Sequence, residues 1–126
     1  MNLLLFIVIA LAGGVGAAMR LLIDGVVRAR VPASVRPIGT MLINVSGSFG
    51  LGLITGFALG NLLPPELQLV LGGGLMGGYT TFSTASLETV LFARERRFRA
   101  ALINALGMLI ASASASGLGL WIGLLP

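Results

Sequence analysis

The chain has 126 residues, of which 56% are hydrophobic and 10% charged, and eight arginines against four acidic residues give it a net charge of +4. So few polar residues cannot cover a small soluble domain, which indicates an integral membrane protein. The absence of cysteine and histidine excludes disulfides, thiol chemistry and the commonest proton shuttle and metal ligand. Arginine clusters beside apolar segments are typical of contact with anionic lipid in a bilayer, and not of nucleic-acid binding.

The hydropathy pattern predicts an all-α membrane protein with four transmembrane helices in a single domain, residues 1–126. Four spans of roughly 20 residues use nearly the whole chain, so no second domain fits. Pro64 and Pro65 end the second span, because proline cannot continue a helical hydrogen-bond ladder. The predicted spans are residues 3–23, 38–63, 66–93 and 100–124.

The arginines of the loops lie on one side of the membrane if four spans alternate in direction. The other side carries both termini and the turn at Pro64 and Pro65, with no arginine. The positive-inside rule therefore predicts that the basic loops are cytoplasmic and that both termini are outside. The arginines concerned are Arg28, Arg30, Arg36, Arg94, Arg96, Arg97 and Arg99.

Small residues recur every four positions along the second span and form one smooth helix face. Such a face lets another helix backbone approach closely. The sequence therefore predicts tight packing of this helix within the chain or between chains. The residues are Ser48, Gly52, Gly56 and Gly60.

The third span is interrupted in its middle, where two glycines and four Ser or Thr residues lie between Gly77 and Thr84. These residue types are poor helix formers. Irregular backbone survives in a bilayer only if it is buried in protein or lines a watery cavity, so the segment is predicted to be the working part of a small transport protein. Its freed carbonyls, between Gly77 and Thr80, suit a hard cation, whereas the helix N-terminus that follows favours an anion.

Neutral polar residues inside the spans are candidates for contacting an ion. Asn44 lies early in the second span, and Asn104 and Ser112 lie eight residues apart in the fourth, with Met108 between them on the same helix face. Amide and hydroxyl groups donate to an anion or accept from a cation; hydrogen bonding between helices is the alternative. The edge of the Phe82 ring can contact an anion weakly, although packing is the more common role of a phenylalanine.

Two charged residues also stand out. Arg20, near the end of the first span, can balance Asp24 one turn later, or attract anions toward a vestibule; simple snorkelling to the interface is the alternative. Glu88 is the one carboxylate well inside a predicted span. A carboxylate in that position indicates either a functional group or a hydrogen-bonded structural one.

Three motifs together resemble the signature of the Fluc (CrcB-type) fluoride channels. They are Gly16-x-x-x-Arg20, Gly39-Thr40-x-x-x-Asn44, and Gly77-Gly78-x-Thr80-Thr81-Phe82-Ser83-Thr84 followed by Glu88. The resemblance covers essentially the whole chain and implies a passive fluoride-selective channel, not an enzyme, that exports fluoride from the cytoplasm across the bacterial inner membrane. It also implies an antiparallel dimer with the third helix broken mid-membrane, and a structural sodium ion at the dimer centre bound by the backbone carbonyls of Gly77 and Thr80.

The resemblance assigns further roles by matching position. Arg20 corresponds to the vestibule arginine, and Met108 lies within the polar track of the fourth span. The residues implied to line the fluoride pathway are Asn44, Phe82, Ser83, Thr84, Asn104 and Ser112. Two positions depart from the family pattern: Ala85 replaces a second pore phenylalanine, and Met108 replaces a hydroxyl residue, which puts in question whether every pathway conducts.

The partner within the dimer and the function class each have alternatives. Since the arginines favour one orientation, the antiparallel partner is either a second copy or an oppositely oriented paralogue. A small multidrug exporter also has four spans, but it needs a carboxylate within the first span, where Asp24 lies only at the edge. A non-transporting scaffold subunit gives no reason for an interrupted third helix.

Overall fold

The computed structural model describes residues 2–31 and 37–126, and all regular secondary structure in these ranges is helical, as predicted. Arg36 of the first basic loop lies outside the described residues. The third segment, α3, covers residues 65–79 and is continuous, with α-helical Pro65–Gln68, π-helical Leu69–Met76 and α-helical Gly77–Tyr79. The other helices are α1 (Leu3–Arg30), α2 (Pro37–Leu59), α4 (Ser83–Arg94) and α5 (Phe98–Gly123).

Three helices, α1, α2 and α5, are each long and apolar enough to cross a membrane. The predicted third span is divided between α3 and α4. The 12 residues of α4 extend about 18 Å at the α-helical rise, compared with a hydrocarbon core of about 30 Å. The described part of the chain therefore has three full-length crossing helices and one divided segment in the place of the fourth, which makes it a multi-pass membrane protein.

Helix α1 continues past the predicted end of its span at residue 23 and reaches Arg30. Its last turns carry an ion pair between Asp24 Oδ2 and Arg28 Nε, 3.0 Å apart. The expectation that Arg20 balances Asp24 is therefore wrong. An acidic residue interacts better with a basic residue four positions later than with one four positions earlier, which favours Arg28 over Arg20.

Helix α2 ends at Leu59, before the predicted end of its span at residue 63. The chain turns at Asn61, whose φ of 60° is left-handed, and Leu62 N donates to Phe57 O over 2.8 Å. This bond spans six residues in the manner of a Schellman motif, which ends a helix by satisfying its last carbonyls. The turn thus begins before Pro64 and Pro65 are reached.

Glycines bring two pairs of helices into backbone contact. Between α2 and α5, a Cβ on Gly56 would lie 2.7 Å from Leu120 O and 2.8 Å from the Cα of Gly123. Between α1 and α3, a Cβ on Gly74 would lie 2.7 Å from Ile9 O. The predicted close packing of the second span is therefore confirmed at Gly56, and only glycine fits at such contacts.

Helix α1, helix α2, the divided segment formed by α3 and α4, and helix α5 alternate in direction, so their ends gather into two groups. At one end, Thr40 near the start of α2 bonds to Glu88 of α4, and Asn104 of α5 bonds to Thr89 of α4. At the other end, Asn2 and Pro65 line a single surface pocket. The end of α1 lies toward the first end, and so do the end of α4, the turn that follows it and the start of α5. These segments carry the described arginines that were predicted to lie in loops.

Candidate functional site

A groove of about 670 Å³ lies between α2, the interruption after α3, α4 and α5. It is open along one side, and a set of uncharged polar side chains projects from its largely apolar walls. It brings together four predicted pathway residues, Asn44, Phe82, Asn104 and Ser112, and includes Thr80, Ala85 and Met108. Ser83, Thr84, Arg20 and Glu88 do not line it.

The helical ladder stops at the interruption in a defined way. Thr80 N and Thr80 Oγ1 both donate to Met76 O, over 3.0 Å and 2.9 Å. Thr80 itself is extended, with φ −80° and ψ 160°, and the next helix begins at Ser83. The carbonyl of Met76 is therefore the last acceptor in the hydrogen-bond ladder of α3. The carbonyl of Gly77 is the first one that receives no such bond.

The side chain of Asn44 makes two hydrogen bonds with the backbone of Thr81, one as acceptor and one as donor. Asn44 Oδ1 accepts from Thr81 N over 2.8 Å, and Asn44 Nδ2 donates to Thr81 O over 2.7 Å. Asn44 Nδ2 also donates to Met108 Sδ over 3.2 Å. Since a thioether is a weak acceptor, this second N–H is the one that a better acceptor in the groove can capture.

The hydroxyl of Thr81 accepts a hydrogen bond from the first turn of helix α4. Thr84 N donates to Thr81 Oγ1 over 3.3 Å, and the hydroxyls of Ser83 and Thr84 lie 3.3 Å and 3.4 Å from the same oxygen. A helix N-terminus has unpaired N–H groups, and a hydroxyl in this place satisfies one of them. In the single chain, Ser83 and Thr84 therefore belong to the first turn of α4 instead of to the wall of the groove.

Phe82 lies at the edge of the groove, and 87% of it is exposed. An exposed aromatic ring beside a groove in a membrane protein faces lipid or another protein surface. Ala85, three residues later, lines the groove with a methyl group only. The groove of one chain therefore has a single aromatic ring at its edge.

Two polar atoms of α5 are buried without a hydrogen bond from any described residue, Asn104 Oδ1 and Ser112 Oγ. Asn104 is 4% exposed and uses its Nδ2 to donate to Thr89 Oγ1 over 2.9 Å. Met108, 7% exposed, lies between the two on the same helix. Unpartnered buried polar atoms are costly, so these two mark positions where water or a ligand is expected to bind.

Arg20 and Glu88 occupy other places. Arg20 is half-buried in the middle of α1. Glu88 Oε1 accepts a hydrogen bond from Thr40 Oγ1, while Glu88 Oε2 is buried and has no hydrogen bond within the described ranges. Glu88 thus joins α4 to the start of α2 beyond the groove.

The polar groove residues to which the sequence assigned no place in the ion pathway include Ser48 and Thr89. Ser48 follows Asn44 by four residues and so shares its helix face; it was identified only as part of the small-residue stripe. Thr89 follows Ala85 by the same interval and donates to the carbonyl of Ala85 over 3.0 Å. The four-residue spacing from a pathway position is the signal that could have identified both.

Comparison with known proteins gives one consistent result. A family model described as "CrcB-like protein, Camphor Resistance (CrcB)" matches residues 7–123. The chain is 54% identical over 123 residues to a protein of Leifsonia xyli named fluoride-specific ion channel FluC 1, with 98% of this chain and 89% of that protein covered. It is 46% identical over 116 residues to fluoride-specific ion channel FluC 2 of Cutibacterium acnes, with 91% and 94% covered. It is 40% identical over 123 residues to FluC 1 of Symbiobacterium thermophilum, with 94% of each chain covered.

Proposed function

This chain belongs to the CrcB family, whose members are channels and not enzymes, and we propose that it forms a passive, fluoride-selective channel that exports fluoride from the cytoplasm. The names of the relatives support fluoride as the ion. The main supporting observation is the groove, which is lined both by Asn44, with its weakly held N–H, and by Ser112, with its unpartnered Oγ.

The groove suits a small anion because its polar groups are uncharged and two of them, the second N–H of Asn44 and the hydroxyl of Ser112, are available as donors. Fluoride loses a tightly bound hydration shell when it enters a narrow pathway, so several N–H and O–H groups must replace that water. Asn44 offers an N–H whose present acceptor is a sulfur, and Ser112 offers a hydroxyl without a partner. None of the side chains that line the groove is ionisable, which favours passive conduction over proton-coupled transport.

The open side of the groove supports assembly with a second subunit. One chain leaves Phe82 87% exposed beside this opening. An antiparallel dimer would close the opening, set the interruption mid-membrane and give two fluoride pathways. The partner is a second copy or an oppositely oriented paralogue, and the numbered names FluC 1 and FluC 2 among the relatives favour the existence of paralogues.

The interruption fits a structural sodium ion. Thr81 N donates to Asn44, so the carbonyl of Gly77 lacks the donor that a continued helix would give it, and the carbonyl of Thr80 lies in extended chain. A twofold axis at this point would present two oxygens from each subunit, and hard cations prefer oxygen ligands. The ion would supply a fixed positive charge at the dimer centre. Backbone carbonyls without an adjacent carboxylate favour a monovalent cation over a divalent one.

The arginines support a location in the bacterial inner membrane with one preferred orientation. Described loop arginines gather at one end of the helices, and anionic lipid attracts each by about 1 kcal/mol. Both termini would then face outward. The bilayer is thus the second partner of the chain besides fluoride.

The proposal is tested by fluoride efflux from liposomes that contain the purified chain. Ser112→Ala removes the buried hydroxyl of the groove, whereas Ser114→Ala removes an exposed hydroxyl from the same helix. We expect Ser112→Ala to slow efflux and Ser114→Ala to match the unaltered chain, without any imposed pH gradient. Efflux that required a pH gradient would contradict a passive channel, and equal rates in the two variants would show that the groove is not the pathway.

A further inference from the structure

Asn44, on helix α2, lies beside the point where helix α3 ends. In a continued α-helix, Thr81 N would donate to the carbonyl four residues earlier, which belongs to Gly77. In this structure Thr81 N donates to Asn44 Oδ1 over 2.8 Å instead. The side chain of Asn44 therefore takes the donor that would otherwise occupy the carbonyl of Gly77.

We propose that Asn44 is a positioning residue for the cation site: by holding Thr81 away from the helical ladder, it keeps the carbonyl of Gly77 available as a ligand. This inference rests on the sodium site of the proposed function. It gives Asn44 a role beyond contact with the permeating ion, because the atoms that hold Thr81 are Oδ1 and one N–H, and the other N–H points to Met108.

The neighbouring hydrogen bonds indicate that loss of the Asn44 side chain would change the bonding of one carbonyl only, that of Gly77. Thr80 N still donates to Met76 O over 3.0 Å, so the ladder is intact up to Met76. The amide of Thr81 is the next donor in sequence, and Thr81 is 9% exposed, with little access to solvent. A buried N–H that loses its partner takes another acceptor, since leaving it unpaired is costly. Without Asn44, the acceptor in reach along the helix is the carbonyl of Gly77.

Two side-chain changes separate this role from a pore role. Asn44→Asp keeps an oxygen in the place of Oδ1 for Thr81 N, whether or not the carboxyl is protonated, but removes the amide N–H groups. Asn44→Ala removes the oxygen as well. Asn104→Ala is the matched control, because it deletes an amide of the same size from the same groove without contact to Thr81.

The experiment measures the midpoint of thermal unfolding of each purified, assembled protein in sodium chloride and in N-methyl-D-glucamine chloride. A cation that binds only the native state raises this midpoint. Because each protein is compared with itself, a general loss of stability cancels. We expect the sodium-dependent shift to be present in the unaltered chain, Asn44→Asp and Asn104→Ala, and to be lost in Asn44→Ala.

The other outcomes each overturn a defined part of the argument. A sodium-dependent shift in Asn44→Ala equal to that of the unaltered chain would show that Asn44 does not control the carbonyl of Gly77. Loss of the shift in both Asn44 variants would show that the oxygen acceptor is not the group that matters. Absence of any shift in the unaltered chain would overturn the sodium site itself, while fluoride efflux would still test the channel.

Discussion

Met108 provides the sharpest test of how the groove conducts. Its sulfur accepts from Asn44 Nδ2 over 3.2 Å, and its buried side chain separates Asn104 from Ser112 on α5. The sulfur of Met108 therefore accepts the N–H that we expect fluoride to bind. The rest of the Met108 side chain lies between two unpartnered polar atoms, Asn104 Oδ1 and Ser112 Oγ. We predict that Met108→Ser increases fluoride flux, because it releases that N–H, adds a hydroxyl and shortens the obstructing side chain.

The size of the effect follows from one added hydrogen bond to an anion. Such a bond contributes about 1.5–3 kcal/mol, and about 1.4 kcal/mol corresponds to a factor of ten. If the barrier for fluoride lies at this point, flux rises about tenfold to one-hundredfold. The assay is fluoride efflux from liposomes at a known number of channels per vesicle, recorded with a fluoride electrode.

Met108→Leu is the control for volume. It keeps an apolar side chain of similar size, which cores tolerate at a cost below about 1.5 kcal/mol. Like Met108→Ser it frees the Asn44 N–H from the sulfur, but it adds no hydroxyl and does not shorten the side chain. We expect its flux to stay well below that of Met108→Ser, because an apolar side chain still fills the groove at this point. Equal flux in Met108→Ser and Met108→Leu would refute the argument that the bulk of residue 108 and its lack of a hydroxyl limit the pathway.

Three further predictions address the aromatic ring, the packing and the orientation. Phe82→Ile should lower fluoride efflux sharply while the assembled species persists on size-exclusion chromatography, because the ring edge is lost; unchanged efflux would show that the ring only packs. Gly56→Ala should destabilise the protein by about 1–3 kcal/mol through overpacking against Leu120, measured as a lower unfolding midpoint, whereas Gly117→Ala, with no atom within 4 Å of its added Cβ, should have a much smaller effect. A tag at the C-terminus should be accessible from outside intact cells; an even distribution between the two sides would contradict a fixed orientation.

The sequence was sufficient to single out Asn44, Phe82, Asn104 and Ser112, which line the groove, although it also assigned Ser83 and Thr84 to the pathway, and these do not line it. Asn104 and Ser112 share a face of α5 because residues four apart in a helix do. The glycine and hydroxyl residues between Gly77 and Thr84 are poor helix formers, but the structure interrupts the helix only at residues 80–82, since Gly77–Tyr79 is helical and α4 begins at Ser83. Asn44 was identifiable as a buried amide that needs a partner. Local chemistry thus indicated which residues matter and roughly where the helix would be interrupted.

The partners of those residues could not be predicted, because they depend on how helices pack. The bond between Asn44 and Thr81 requires α2 to lie beside the interruption, and nothing local to either segment specifies that distance. The π-helical turns Leu69–Met76 arise from a shift of hydrogen bonds in an apolar stretch without a sequence signal. Similarly, hydropathy marks where the membrane ends, not where a helix ends, and so α1 extends to Arg30 beyond its predicted span.

Fluoride selectivity is measured by comparing fluoride and chloride efflux from the same preparation of liposomes that contain this chain, with a potassium ionophore to balance charge. The proposed fluoride-selective channel predicts rapid release of fluoride and release of chloride no faster than from protein-free liposomes. Equal release of the two anions would contradict fluoride selectivity, and fluoride release no faster than from protein-free liposomes would contradict a fluoride channel.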